Sequence, residues 1–150
     1  MRAVVQRVLE AAVCVKDDSV GHIGPGILLY LGVAKGDSND DMIWVAEKII
    51  KMRIFPDQLE KMQFPITDVA GSVLVVSQFT LCADMSQGNR PGFSAAADSS
   101  VAEDMYNSFV EYLQSKGVNV QTGVFAAHMS VSSVNDGPVT IILDSKVKVG

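Results

Sequence analysis

Apolar residues along the chain follow the short-period pattern of β-strands in several separate segments. Alternating or continuous apolar runs of strand length occur at positions 2–15, 19–23, 27–34, 72–79, 118–124, 129–134 and 139–143. The run at 27–34, ILLYLGVA, contains almost no polar residue, which predicts a strand that is covered on both faces. Turn residues at 16–18 and 24–26 separate the first strands, and the polar stretch 58–68 predicts an exposed hairpin.

Two segments repeat their apolar residues at helical spacing instead. In the first, Ser38 is a predicted N-cap, and Asp40 and Asp41 stand in the first turn, where carboxylates favour the helix dipole. The side chains that follow at helical spacing are Ile43, Ala46, Ile49, Ile50 and Arg53. This pattern predicts a helix that begins after position 38.

The second helical segment opens with SVAE at positions 100–103, which has the form of a capping box. Its predicted apolar face consists of Val101, Met105, Phe109 and Leu113. Lys116 and Gly117 provide a cation for the last turn and a C-terminal glycine, so the helix is expected to end there.

The order of these elements predicts the fold class. Strands outnumber the two helices, and no repeat, low-complexity tract or linker divides the 150 residues, so positions 1–150 are treated as a single domain. We expect an α/β fold in which a mixed β-sheet carries the two main helices on one side. A further β layer would lie behind that sheet, giving α/β/β layers.

Composition narrows the setting in which the protein works. No apolar run approaches the roughly 20 residues that span a bilayer, so no membrane contact is expected. Arg2, Gln6, Arg7 and Glu10 interrupt the N-terminal apolar stretch, which therefore lacks the pattern of a signal peptide. We expect a cytoplasmic protein.

Cysteine, histidine and net charge exclude several kinds of site. Cys14 and Cys82 form no C-x-x-C pair, and with only His22 and His128 besides them the sequence predicts no disulfide framework and no zinc site. The net charge of −5 argues against a broad nucleic-acid-binding face, which usually carries a basic stripe. Any RNA contact should be small and local, with Lys35, Lys61 and Arg90 as candidates.

A glycine and a proline stand directly ahead of the apolar run 139–143, which we interpret as a buried strand. Within SVNDGPVTIILD at 133–144, Gly137-Pro138 has a structural interpretation, because proline is tolerated at the first residue of a strand and Asn-Asp-Gly is common in turns. The functional interpretation is a cis Gly137-Pro138 bond that directs backbone carbonyls towards a ligand. Both interpretations remain open at this point.

The end of the strand at 72–79 is the second unusual place. Ser77, Gln78 and Thr80 follow an apolar run, and the ends of strands are where α/β proteins assemble pockets, although hydroxyl groups there often satisfy turns alone. A nucleophilic Thr80 would need a base, and neither a nucleophile elbow nor a convincing His partner is present. Any chemistry should therefore depend on positioning and on backbone N–H donors that stabilise an oxyanion.

Taken together, SQFTL at 77–81 and NDGPVT at 135–140 resemble the two signature motifs of the D-aminoacyl-tRNA deacylases. Similar stretches extend over nearly the whole chain, including MRAVVQRV, IGPGILLYLGV, AEKIIKMRIF, NRPGFSAA and VTIILDS. Cys82 departs from the tyrosine that is common after the first motif, but it lies outside that motif.

The resemblance implies a homodimer that hydrolyses the ester between a D-amino acid and the 3′-terminal ribose of tRNA, without a cofactor or metal. It implies that Gly137 and Pro138, joined by a cis bond, enter the active site of the other subunit. Their carbonyls would accept the substrate's ammonium group and leave no room for an L side chain. Glycine has no side chain to exclude, so activity on glycyl-tRNA, including alanine tRNA mischarged with glycine, is also expected.

The resemblance assigns the catalytic pocket to Ser77, Gln78, Phe79 and Thr80, with Met129 as a further pocket residue. The backbone N–H groups of Phe79 and Thr80 would bind the substrate carbonyl. Thr80 as nucleophile is one possibility for the family, and participation of the 2′-hydroxyl of the tRNA is the other. The second suits this sequence better because no base for Thr80 is evident.

Three rival functions differ from this one in their motifs, in their turnover or in their need for RNA. A related deacylase that removes L-alanine from threonine tRNA has a trans Gly-Pro bond and a different first motif. A catalytically silent dimer that binds RNA ends or adenine nucleotides would show no turnover. An esterase or peptidase for free D-aminoacyl compounds would act without RNA.

Overall fold

The computed structural model describes residues 1–147 and consists of one mixed β-sheet, two helices and a small hairpin. The strands are β1 (Arg2–Val15), β2 (Asp18–Ile23), β3 (Gly26–Gly32), β4 (Phe55–Pro56), β5 (Met62–Phe64), β6 (Ser72–Ser77), β7 (Asn119–Thr122) and β8 (Ser130–Asp144). The helices are α1 (Asn39–Lys51) and α2 (Ser99–Ser115). Two short 3₁₀ turns cover Ile66–Val69 and Phe79–Cys82.

The six-stranded sheet is antiparallel around β1 and parallel beyond it. β1 pairs with β8 along one edge and with β3 and β2 along the other, all antiparallel. β3 and β6 are parallel, as are β6 and β7, so these three strands end at the same edge of the sheet. β4 and β5 form a separate antiparallel pair, which confirms the hairpin expected in this region.

Side-chain alternation divides the core between the two faces of this sheet. On β3 and β6, the side chains of Ile27, Leu29, Val73 and Val75 pack in one cluster with both helices. The residues between them point the other way and form a second cluster with β1 and β2, whose members are Val8, Ala11, Val13, Ile23, Leu28, Leu74 and Val76. The sheet therefore curls until it is almost a barrel, and the expected α/β/β layering with helices on one side is confirmed.

The start of α1 agrees with the sequence, whereas the start of α2 does not. Ser38 caps α1 and Asp41 completes a capping box, with the Ser38 N–H donating to Asp41 Oδ2 at 2.8 Å. α2 begins at Ser99 with Asp98 as its N-cap, so the capping box predicted at Ser100 is wrong. The predicted apolar face is also shifted.

The buried face of α2 lies one residue away from part of the predicted face. Phe109 and Leu113 are fully buried, as expected, but Ala102 and Tyr106 complete that face. Val101 is 51% exposed, so its place in the predicted core is wrong. The periodic pattern located the helix correctly but not its rotation.

β8 is one continuous strand and not two. Gly137 and Pro138 lie inside it, so the prediction of a new strand beginning after them is wrong. The interpretation of 139–143 as buried is also wrong for this chain, because Ile142 is 75% exposed and Thr140 is exposed. Among the strands of residues 1–147, β8 pairs with β1 alone and forms an edge of the sheet, which explains this exposure.

A wide bulge interrupts the pairing of β8 with β1. Gln6 is opposite Thr140 and Val8 is opposite Asn135, so Arg7 alone faces the four residues from Asp136 to Val139. The extra residues of β8 project from the ladder, as in other bulges that redirect a strand. Gly137 and Pro138 stand in the middle of this projection.

Candidate active site

A cavity of about 600 Å³ lies at the carboxyl ends of the parallel strands. Its walls come from the segments that follow β3, β6 and β7, together with the start of α2. The lining residues are Val33, Lys35, Val76, Ser77, Gln78, Phe79, Phe93, Ala96, Ala97, Asp98, Ser99, Ala102, Phe125, Ala126, Ala127, His128, Met129 and Val131. This is the edge at which open α/β sheets place their ligands.

Ser77, Gln78 and Phe79 form the floor and one wall of the cavity. The Gln78 N–H donates to the Leu31 carbonyl at 2.8 Å, which ties the end of β6 to β3. Directly afterwards the chain turns into the 3₁₀ segment, and Phe79 meets Phe93 edge to face with ring centroids 5.0 Å apart. The change from strand to tight turn therefore presents polar groups and an aromatic ring at the same opening.

Thr80 does not line the cavity. Its side chain is exposed, and its hydroxyl oxygen is bonded by the Gln78 side-chain amide. An amide cannot remove a proton from a hydroxyl group, so this contact does not activate Thr80 as a nucleophile. Of the four predicted residues in this segment, three line the cavity and Thr80 does not.

The Phe79 and Thr80 backbones offer donors at the start of the 3₁₀ turn. The first hydrogen bond of the turn runs from the Leu81 N–H to the Gln78 carbonyl, at 3.2 Å. The N–H groups of Phe79 and Thr80 precede this bond and are not used within the turn. Adjacent backbone donors of this kind suit the binding of a developing oxyanion.

Met129 reaches the opposite wall of the cavity, on the segment between β7 and β8. A Cβ added at Gly123 would lie 2.6 Å from Met129 Sδ, so the thioether packs directly against that glycine. Phe125 lies beside it and contacts the Tyr106 ring at 5.9 Å between centroids. Tyr106 donates its hydroxyl to the Val75 carbonyl at 2.8 Å, and burial raises its pKa to about 12, so this support stays protonated.

Gly137 and Pro138 are exposed and do not line this cavity. Their peptide bond is cis, and Gly137 has a φ of +117°. Arg7 supports the bulge from beneath: it is only 8% exposed, pairs with Asp136 at 3.1 Å and donates to the Ile54 carbonyl. The structure thus keeps the second motif away from the first within one chain.

Several residues of the site were missed by the sequence reasoning. Phe93 and Phe125 supply aromatic walls, but both stand in irregular segments where no periodic pattern marks them. Arg7 was considered only as an interruption of the N-terminal apolar stretch. β1 also contains Arg2, Gln6 and Glu10, so the sequence does not mark Arg7 as the buried cation that needs an acceptor.

The structure gives little support for a cysteine nucleophile or a metal site near the cavity. Cys82 is the buried last residue of the 3₁₀ turn, and burial raises the pKa of its thiol, which disfavours a thiolate nucleophile. Within residues 1–147, no three His, Cys, Asp or Glu side chains are grouped as metal ligands would be. No helix in the same range is long and apolar enough to cross a membrane.

Comparison with known structures finds the same architecture in other solved proteins. A protein named c-Myc DNA Unwinding Element Binding Protein is 39% identical and superposes with a TM-score of 0.90, over 96% of this chain and 98% of that one. A probable eukaryotic D-amino acid tRNA deacylase has a TM-score of 0.81, over 95% of this chain and 97% of that one. At 15% identity, the second likeness shows a shared fold.

Sequence comparison gives the family. A protein named D-aminoacyl-tRNA deacylase from Thermotoga petrophila is 52% identical over 145 residues, covering 97% of each chain. Another of that name, from Desulforamulus reducens, is 50% identical over 146 residues, covering 97% of this chain and 98% of the relative. The family model described as D-Tyr-tRNA(Tyr) deacylase matches residues 4–144. The chain therefore belongs to the D-Tyr-tRNA(Tyr) deacylase family.

Proposed function

We propose that this protein hydrolyses the ester bond between a D-amino acid and the 3′-terminal ribose of tRNA. The observation that carries the proposal is the cavity formed by Ser77, Gln78 and Phe79 in a chain whose relatives, 50% and 52% identical, are named for this activity. The cavity is large enough for an aminoacylated nucleoside end, since ligand pockets commonly measure about 300–1,000 Å³. The proposal includes a cytoplasmic location, where translation uses tRNA.

Catalysis in this proposal depends on positioning and on backbone donors. The N–H groups of Phe79 and Thr80 bind the ester carbonyl as negative charge develops on it, and the aromatic pair of Phe79 and Phe93 limits water around the ester. The Thr80 hydroxyl is bonded by the Gln78 amide and by no basic group among residues 1–147, so the 2′-hydroxyl of the terminal ribose assists attack by water. The reaction then requires no protein nucleophile and no cofactor.

Selection of the D-isomer is assigned to Gly137 and Pro138 of a second copy of the chain. In one chain these residues are exposed and lie outside the cavity, on a bulge that Arg7 and Asp136 hold in place. Inserted into a partner's cavity, their backbone would accept the substrate's ammonium group and occupy the space that an L side chain needs. Glycine lacks that side chain, so glycyl-tRNA, including mischarged alanine tRNA, should also be hydrolysed.

An exposed sheet edge supports the homodimer. In the described part of the chain β8 has β1 as its one paired strand, and it carries the apolar side chains of Val134 and Ile142, which are 47% and 75% exposed. Exposed edges with apolar side chains are commonly covered by association with another chain. Because Gly137 and Pro138 lie on the same strand, association along β8 would bring them to the partner.

The proposal is tested by deacylation of D-tyrosyl-tRNA and L-tyrosyl-tRNA at equal enzyme concentration, with spontaneous hydrolysis subtracted. Rapid loss of only the D-ester is expected. Loss of neither ester by a folded protein would contradict the activity. Hydrolysis of a free D-tyrosyl ester as fast as the tRNA ester would favour an esterase that does not need RNA.

A second candidate is nucleic-acid binding without catalysis. It is favoured by one observation, that the structural neighbour with 39% identity is named as a DNA unwinding element binding protein. The net charge of −5 makes a broad duplex-binding face improbable, because the phosphate backbone is normally met by many cations. Multiple turnover on D-tyrosyl-tRNA would distinguish the deacylase from this candidate.

A further inference from the structure

The cations of this chain differ in whether the protein itself provides a partner. Among the described residues, most have one in an ion pair, a side-chain hydrogen bond or an aromatic ring: Arg2, Arg7, Lys48, Lys51, Arg53, Lys116 and Lys146. The described cations without such a partner are Lys16, Lys35, Lys61 and Arg90. Of these, Lys35 is the one that lines the cavity.

Lys35 lies in a tightly held turn directly after β3. The Ala34 N–H donates to Asp37 Oδ2 at 2.7 Å, and the Asp37 N–H donates back to the Ala34 carbonyl at 3.1 Å. The Asp37 carboxylate is fully buried and pairs with the amino group of Met1 at 2.6 Å. The turn is therefore fixed from beneath while the Lys35 side chain is exposed.

The same turn is bonded to the segment 93–97, which contributes Phe93, Ala96 and Ala97 to the cavity lining. The Lys35 N–H donates to the Ala95 carbonyl at 2.9 Å, and Ala34 forms an isolated β-bridge with Ala96. Lys35 thus stands at the rim of the cavity on a backbone that is already ordered. A cation held in this way loses little backbone freedom when it binds an anion.

We propose that Lys35 binds the phosphodiester that precedes the terminal nucleoside of the aminoacylated RNA. This inference rests on the proposed function, because an ester bound near Phe79 leaves the RNA to exit over the rim. The protein is acidic overall, and Asp98 lines the same cavity, so an incoming phosphate meets repulsion that a rim cation offsets. A lysine ammonium contacts phosphate as a point charge and reads no base, which suits an enzyme acting on many tRNAs.

The test compares two esters that differ in phosphate. D-tyrosyl-tRNA carries the phosphodiester, whereas 3′-O-(D-tyrosyl)adenosine does not. Lys35→Gln is compared with the wild type and with Lys116→Gln, which removes the same charge at the far end of α2. The 17-residue length of that helix separates Lys116 from the cavity by about 25 Å.

For Lys35→Gln, we expect KM for D-tyrosyl-tRNA to rise about three- to tenfold, while kcat stays within about twofold. The effect on the adenosine ester should be at least about threefold smaller. The slope of log(kcat/KM) against log salt concentration should also become shallower by about 0.7, the value for one contact to single-stranded nucleic acid. Lys116→Gln should match the wild type in all three measurements.

Each alternative result has a distinct meaning. Equal losses on both esters, or an unchanged salt slope, would overturn the phosphate contact while leaving the deacylase activity intact. If the wild type cleaves only the tRNA ester, the phosphate contact is tested by the KM and the salt slope of Lys35→Gln alone, and wild-type values of both would overturn it. Failure of the wild type on both esters would contradict the proposed function, and the role of Lys35 with it.

Discussion

The buried pair between Asp37 and the amino group of Met1 offers a direct test of what holds the cavity's rim. Asp37→Asn keeps the shape of the side chain and leaves an oxygen that can still accept the Ala34 N–H. It removes the charge and replaces Oδ1, which faces the Met1 ammonium and Lys146, with an amide NH2 group. The ammonium group at Met1 then keeps its hydrogen bond to Ser145 Oγ, at 2.7 Å, but loses the carboxylate 2.6 Å away.

The size of the stability loss in Asp37→Asn follows from the burial of both charged groups. The side chains of Met1 and Asp37 have no exposed surface, so solvent cannot replace the lost partner. At 2.6 Å and an effective dielectric constant of about 20, the attraction between two unit charges is about 6 kcal/mol. Breaking buried pairs from one side typically costs about 3–5 kcal/mol, a large part of the roughly 5–15 kcal/mol that stabilises a domain.

Urea unfolding at pH 7 measures this loss, and Asp40→Asn is the matched control. Asp40 is exposed in the first turn of α1, where a carboxylate contributes about 0.3–1 kcal/mol through the helix dipole. We expect Asp37→Asn to lower the free energy of unfolding by about 3–5 kcal/mol and Asp40→Asn by less than about 1 kcal/mol. Equal effects of the two variants would refute the reasoning from burial.

Three further outcomes are expected. Lys146 and Ser38 hold the pKa of Asp41 well below its usual range, so the stability that Asp41 contributes is present above about pH 4 and is lost as pH falls through that lowered pKa. Between pH 7 and pH 3, the free energy of unfolding in urea should therefore fall less in Asp41→Asn than in the wild type. An equal fall in both proteins would exclude Asp41 as the origin of the acid sensitivity. Thr80→Ala should retain deacylation within about tenfold of the wild type, because a side-chain acid or base would contribute about 10²–10⁴-fold; complete loss in a folded variant would favour side-chain catalysis. Ile142→Lys should give a folded monomer by light scattering without D-selectivity, and a monomer with full D-selective activity would defeat the shared pocket.

Local sequence signals were sufficient for much of the fold. The uninterrupted apolar run of β3 predicted a strand covered on both faces, and all but one of its residues are buried. Ser38 marked the start of α1 because its side chain and that of Asp41 satisfy N–H groups within one turn. In both cases the determining interactions lie within a few residues of the chain.

Predictions failed where distant contacts decide the outcome. Asp98 and Ser100 are both of residue types favoured at N-caps, and α2 begins after Asp98, with Ala102 and Tyr106 on its buried face. β8 continues through Gly137 and Pro138 because β1 pairs with it on both sides of Arg7. The register of β8 is set by its pairing with β1, so it cannot be predicted from the sequence of β8 alone.

The candidate site was only partly accessible from sequence for the same reason. Ser77 and Gln78 could be recognised because they end an apolar strand. Met129 meets them only because β6 and β7 are parallel neighbours, so that the segments following the two strands converge. Phe93 belongs to a segment without regular structure, and no periodic signal reveals which cavity such a ring will face.

The most direct test of the account is the ratio of D- to L-tyrosyl-tRNA deacylation in the wild type, Gly137→Ala and Gly117→Ala. Both glycines have positive φ, but an added Cβ at Gly137 lies 2.9 Å from the Val139 side chain, whereas Gly117 faces open space. We expect a D-specific wild type, a D-specific Gly117→Ala and a ratio at least about tenfold lower in Gly137→Ala, equivalent to about 1.4 kcal/mol. An unchanged ratio in folded Gly137→Ala, or equal hydrolysis of both esters by the wild type, would contradict it.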